Sequence, residues 1–194
     1  MESLGPLIKA TTALFIIIDP IGLIPVFMAL TQDFTPEERR RTLSQATLVA
    51  LLLLLILAFT GTGVLRLFGI TISDFKIAGG ILLLVIALRI IGTAHYGEAG
   101  DGRPGVVPLA VPLLVGPGAI TTTIVLIGAY GLWITVAAVL ITFAISFVIF
   151  RFVGILYRIL GETGSDVIAK IMGMLLAAIA IQFIRQGIQE VFQF

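Results

Sequence analysis

Long apolar runs, separated by short clusters of charged residues and glycine, make up most of this chain. A hydrocarbon core about 30 Å thick needs roughly 20 consecutive apolar residues per crossing helix. Six segments approach or exceed that length: residues 5–30, 43–68, 75–92, 106–128, 133–160 and 167–188. The pattern predicts an all-α integral membrane protein of six transmembrane helices. The second and fifth segments exceed the minimum and are expected to tilt.

The connections between runs carry recognisable punctuation. Thr35-Pro36-Glu37-Glu38 reads as a helix start, with a capping hydroxyl, proline at the first helical position and acids in the first turn. Ser73 and Ser165, each followed by Asp, read as caps of the third and sixth helices. The glycine-rich stretch 97–105 is the one flexible polar linker, dividing residues 1–96 from residues 106–194. The first run includes Asp19 and Pro20 and continues past both, which is not the pattern of a cleaved signal peptide.

Composition agrees with a lipid solvent. Charged residues are 12% of the chain and hydrophobic ones 59%, against about 25% charged in soluble domains. With no cysteine there is no disulfide, thiol nucleophile or thiolate metal site. No paired catalytic acids or metal-ligand cluster lie within the spans, so neither an enzyme nor a cofactor or metal site is expected. A net charge of +1 gives no indication of nucleic acid as a partner. The placement of the positive charges is more informative. Arg39, Arg40 and Arg41 flank the first loop, Arg89 and Arg103 the third, and Arg151, Arg158 and Lys170 the fifth. Lys9, Arg66, Lys76 and Arg185 fall on the other side. The surplus places loops one, three and five in the cytoplasm and both termini outside.

The chain also resembles itself. Residues 66–74 read RLFGITISD and residues 158–166 read RILGETGSD. Arg66, Gly69, Thr71, Ser73 and Asp74 recur as Arg158, Gly161, Thr163, Ser165 and Asp166, all at an offset of 92 positions (158 less 66). The same offset carries Pro20 onto Pro112, Pro25 onto Pro117 and Thr31 onto Thr123. Each copy holds three spans, an odd number, so the two must cross the membrane in opposite directions. That is the inverted-repeat plan of many secondary transporters.

The repeated element breaks helices. Proline removes an amide donor and blocks the bond to the carbonyl four residues back, and lipid offers no replacement partner. The first span reads Asp19-Pro20-Ile21-Gly22-Leu23-Ile24-Pro25, and the fourth Pro112-Leu113-Leu114-Val115-Gly116-Pro117-Gly118-Ala119. Paired breaks in inverted halves point to a shared central site. Half-helices starting near Pro25 and Pro117 would present free amides and a positive dipole end to a carboxylate. Carbonyls ending the upstream halves could hold an ammonium or a cation. A small zwitterion fits both, with Gly22, Gly116 and Gly118 allowing close backbone approach. Asp19, the one acid deep in a span, could bind the ammonium, take a coupling proton, hold a cation, or cap Gly22. Thr121 and Thr122 could add hydroxyls, or bond their own helix. The candidate substrate-binding set is Asp19, Pro20, Gly22, Pro25, Gly116, Pro117, Gly118, Ala119, Thr121 and Thr122, with Asp19 also the coupling-ion candidate.

In DPIGLIPVF (19–27), VPLLVGPGAITT (111–122) and the repeated Gly-x-Thr-x-Ser-Asp, the chain resembles the MarC family over essentially its whole length. The resemblance implies six spans and, from an archaeal member that carries small neutral amino acids, glycine or alanine as substrate with H+ or Na+ coupling. The expected function is alternating-access transport of such amino acids in the cell membrane. The alternatives are a channel-like pore, which would neither saturate nor counter-transport, and an exporter of some other small solute.

Overall fold

The computed structural model describes residues 4–31, 34–61, 63, 67–92 and 109–192, without the side chains of 156, 157, 160–163, 165, 166 and 169. All regular structure among the described residues is helical. In chain order the elements are α1 (Leu4–Ile18), α2 (Leu23–Leu30), α3 (Pro36–Thr60), α4 (Ile72–Gly92), a kinked segment (Leu109–Leu114), α5 (Pro117–Tyr130), α6 (Leu132–Arg151) and α7 (Val153–Phe192).

Among the described residues, four helical stretches are long and apolar enough to cross a bilayer: Pro36–Thr60, Ile72–Gly92, Leu132–Ile155 and Lys170–Phe192. α1 and α2, bent by 42° at their junction, together form a fifth. The fourth expected span is interrupted, as its prolines lead one to expect. Pro112 and Pro117 divide it into the kinked segment and α5, whose 14 residues fall short of a crossing. Residues 106–108, the linker 97–105, His95, Arg66 and Arg103 lie outside the described residues.

Local chemistry explains most helix ends. Thr35 and Glu38 form a reciprocal capping box: the Thr35 hydroxyl accepts from the Glu38 amide at 3.2 Å, and the Glu38 carboxylate from the Thr35 amide at 2.8 Å. α3 stops at Gly61, whose φ of 59° is left-handed. The expected cap at Ser73 is corrected. Thr71 fills that role, its hydroxyl accepting from the Asp74 amide at 3.1 Å while Asp74 accepts from the Thr71 amide at 2.8 Å. Ser73 lies inside α4 and donates instead to Glu190 at 2.9 Å. Ser165 falls inside the helical stretch Val153–Phe192, and its side chain lies outside the described residues.

α3 illustrates the membrane character. Leu43, Ala46, Ala50 and Leu54 face inward and are buried, whereas Leu48, Leu52 and Ile56 are 55%, 51% and 52% exposed. Both faces are apolar, as a helix between protein and lipid requires. Packing against other helices therefore relies on close fit. α4 and the second part of α7 show this best, running antiparallel over three glycines. Cβ atoms on Gly80, Gly173 and Gly187 would lie 2.7 Å from the Ala180 carbonyl oxygen, 2.9 Å from Ile91 and 2.6 Å from Ile77. Lys76 pairs with Glu190 at one end of this interface.

α7 cannot be one straight rod continuing α6. Forty helical residues would extend about 60 Å. Yet Phe183 lies 3.6 Å from the Cβ position of Gly116, and Gly118 abuts Ile17 of α1, which packs along α6. The helical path therefore bends between Arg158, which lines one cavity with Pro36, and Gly173, which abuts Ile90 and Ile91.

Candidate functional site

The two interruptions are built differently. At the first, Asp19 adopts a φ of 45°, a left-handed conformation that aspartate tolerates better than most residues. That residue ends α1, and its carboxylate then serves the next turn, with Oδ1 accepting from the Gly22 amide at 3.0 Å. The Leu23 amide bonds the Asp19 carbonyl and the Ile24 amide the Ile21 carbonyl, both at 3.1 Å. α2 thus begins at Leu23 rather than near Pro25. Its opening amides are already paired, against the expectation of free donors here. Pro25 sits in the first turn of α2, where its missing N–H costs nothing. Pro20 is buried, Gly22 and Pro25 are half-buried, and Asp19 is exposed.

The second interruption leaves its donors open. Val111 is extended (φ −134°, ψ 126°) ahead of a cis peptide to Pro112, and Val115 N–H bonds the Ala110 carbonyl at 2.9 Å. Gly116 occupies the N-cap position of α5 and has no side chain to cap with; Pro117, next, has no N–H. The first backbone bond of α5 comes from Ile120 to the Gly116 carbonyl, at 3.2 Å. The amides of Gly118 and Ala119 therefore start the helix without a capping side chain. Such a terminus favours an anion. Gly116 and Gly118 are half-buried, Pro117 and Ala119 buried.

Tertiary packing brings the interruptions together. A Cβ on Gly118 would lie 3.1 Å from the Ile17 side chain, in the last turn of α1. Pro112 is seated on Gly79 of α4, 3.2 Å from its Cβ position, and Gly116 faces the Phe183 ring of α7. The prolines of the breaks thus face protein, which is where lipid-free backbone can persist. Thr121 is exposed and donates to the Pro117 carbonyl at 2.8 Å, within its own helix. Thr122 is half-buried and makes no hydrogen bond among the described residues. Thr31 and Thr123, paired by the repeat, behave alike: both are buried and donate to the carbonyl four residues back, at 2.6 and 2.7 Å.

Several contributors were not among the sequence-derived candidates. Ile17, Gly79 and Phe183 hold the second break in place, and no pattern in the primary structure marks them. Arg39 is another. Nearly buried, it donates through Nη2 to the Thr31 carbonyl at 2.9 Å and through Nε to the Thr31 hydroxyl at 3.2 Å. It thereby places a cation on the negative end of α2. The run Arg39–Arg40–Arg41 signals topology in the sequence, and nothing in it marks Arg39 as the residue that caps α2.

Taken together, these features define a multi-pass α-helical membrane protein whose bundle encloses two interrupted helices. The chain belongs to the MarC family of integral membrane proteins, whose family model matches residues 4–192. A UPF0056 membrane protein of Archaeoglobus fulgidus is 41% identical, over 92% of this chain and 90% of its own. YhcE of Escherichia coli K12, named a UPF0056 membrane protein, is 38% identical, covering 95% and 92%. YhgN of the same organism, named a UPF0056 inner membrane protein, is 32% identical, covering 96% and 98%. No solved structure matches the chain.

Proposed function

We propose that this protein is a secondary transporter of small neutral amino acids, of glycine or alanine size. It works by alternating access between two inverted three-helix repeats, residues 1–96 and 106–194, and is coupled to H+ or Na+. The observation that carries this reading is the uncapped start of α5 at Gly116–Pro117–Gly118, held against the end of α1. The substrate carboxylate binds the Gly118 and Ala119 amides. Its ammonium lies toward the carbonyl end of α1 and the remaining acceptor capacity of Asp19. Glycine at 116 and 118 leaves room for a small side chain only.

The inverted plan is supported by three matched features. Helix interruptions fall at positions related by the repeat, Thr31 and Thr123 make the same bond, and α4 packs antiparallel on its counterpart in α7. A two-fold axis in the membrane plane would produce that packing. The convergence of Arg39, Arg40, Arg151 and Arg158 at one end supports a cytoplasmic placement of that end, with both termini outside. The name of YhgN supports a cell-membrane location.

The test is uptake of radiolabelled glycine and alanine into proteoliposomes. The expected result is saturable, counter-flow-competent transport that Gly118→Leu reduces to background while the variant remains monodisperse. Ile17, 47% exposed, can yield to the new side chain, so the fold should survive. Unaltered transport in that variant would remove the second break from the site. A flux that neither saturates nor exchanges would indicate a pore.

A further inference from the structure

One end of the bundle contains a cavity of about 620 Å³, between the first turns of α3 and the junction of α6 with α7. Its lining combines two kinds of surface. Arg39, Arg40, Arg151 and Arg158 make it basic, and Phe34, Leu43, Phe147, Phe150 and Ile155 make it apolar. No aspartate or glutamate among the described residues lines it. Glu38, close in sequence, is engaged in the capping box, and Glu37 is exposed outside the lining.

Arg39 is committed to the end of α2 through its bonds to Thr31. Arg40, Arg151 and Arg158 are exposed, and none makes a hydrogen bond or ion pair among the described residues. Three guanidinium groups around one cavity repel one another, and a shared anion relieves that repulsion. The planar fork of arginine matches the oxygens of a phosphate in a bidentate manner.

The rest of the cavity identifies the phosphate's carrier. A free inorganic anion has no use for aromatic walls, whereas Phe147 is 40% exposed and Phe150 is held edge-on to Phe27 at 4.8 Å. The apolar surface continues outward along Leu48 and Leu52 of α3 and Ile145 and Val148 of α6, all substantially exposed. Arg40 lies near the start of α3 and Arg151 at the end of α6, and basic residues near the ends of spanning helices reach toward lipid headgroups. We infer that this cavity binds an anionic phospholipid, with its phosphate on Arg40, Arg151 and Arg158. One acyl chain lies against Phe147 and the lipid-facing sides of α3 and α6. The bound lipid fastens α3 to the α6–α7 junction. None of this depends on what the protein transports.

Native mass spectrometry and thermal unfolding of the detergent-purified protein test the site, with phosphatidylglycerol and phosphatidylcholine as probes. Phosphatidylglycerol should bind more tightly and raise Tm further. Each of R40Q, R151Q and R158Q should weaken that binding about fivefold, the value of one basic residue near an anionic headgroup. R151K should retain most of it. R185Q removes the same charge from an exposed position on α7 and should leave binding unchanged. Inorganic phosphate alone should give no comparable stabilisation. Equal binding of the two lipids, equal losses from R185Q and R151Q, or full protection by phosphate alone would each overturn the assignment. Single substitutions suffice for the comparison, so it does not depend on a triple variant folding.

Discussion

The interruption at residues 19–22 and the one at residues 111–117 begin from the same pair of prolines, yet end with opposite hydrogen-bonding states. At the first, a carboxylate and two turn carbonyls take up the amides of Gly22, Leu23 and Ile24. At the second, glycine in the cap position and proline after it leave the next two amides without a capping side chain. A closed turn can serve as a hinge or a wall; an open one can bind. The two breaks thus differ in their hydrogen bonding, and the aspartate before the first proline supplies the one side-chain acceptor.

Three experiments can break or sharpen that contrast. The largest expected effect concerns the platform behind the second break. In Gly80→Val the added atoms meet the Ala180 carbonyl and Ile184, both 2.7 Å from the Cβ position. Overpacking of this kind costs about 1–3 kcal/mol. Unfolding in detergent should show a clear drop in Tm, together with lower transport, because Gly79 on the same turn supports Pro112. A variant as stable as the parent would mean that α4 and α7 are not in close register.

A smaller effect is expected at the first break. Asp19→Ala removes the acceptor for the Gly22 amide and should cost about 1 kcal/mol. Gly22→Ala should cost a similar amount, since its Cβ would lie 2.2 Å from Asp19 Oδ2 and push the carboxylate aside. Both changes break one contact, so the double variant should lose little more than either single one. Additive losses would show that the contact is not what holds the turn. Asp19→Asn keeps an acceptor and should keep the stability. If it also abolishes the dependence of uptake on the coupling ion, Asp19 has a second role beyond capping.

The smallest effects separate two adjacent threonines. Thr121→Val removes a hydroxyl already bonded to its own helix and should change stability by less than about 0.5 kcal/mol and transport not at all. Thr122→Val removes a half-buried hydroxyl with no partner among the described residues, and should raise KM for glycine if it faces the passenger. Identical kinetics in both variants would exclude the threonines from recognition.

What was legible in the primary structure was whatever depends on nearest neighbours and on the solvent. Runs of apolar residues required lipid around the chain. Thr35-Pro36-Glu37-Glu38 specified a helix start, and Pro20, Pro112 and Pro117 specified where helices fail, because proline acts through its own bonds. The 92-position echo was equally visible, being a property of the letters. Assigning caps was less secure. Thr71, not Ser73, starts α4, since several polar residues in one turn compete and only the backbone path selects among them. Other matters needed the folded chain. Whether a broken helix leaves its amides open depends on where the Asp19 carboxylate turns. Whether two breaks meet depends on Gly118 packing against Ile17, and whether scattered arginines share a cavity depends on α3 lying beside α6. Those outcomes are set by contacts between residues far apart in the chain, such as Ile17 with Gly118, and by the packing that brings Arg40 and Arg158 to one cavity. A sequence supplies the groups for such contacts, and only tertiary packing selects which of them are made.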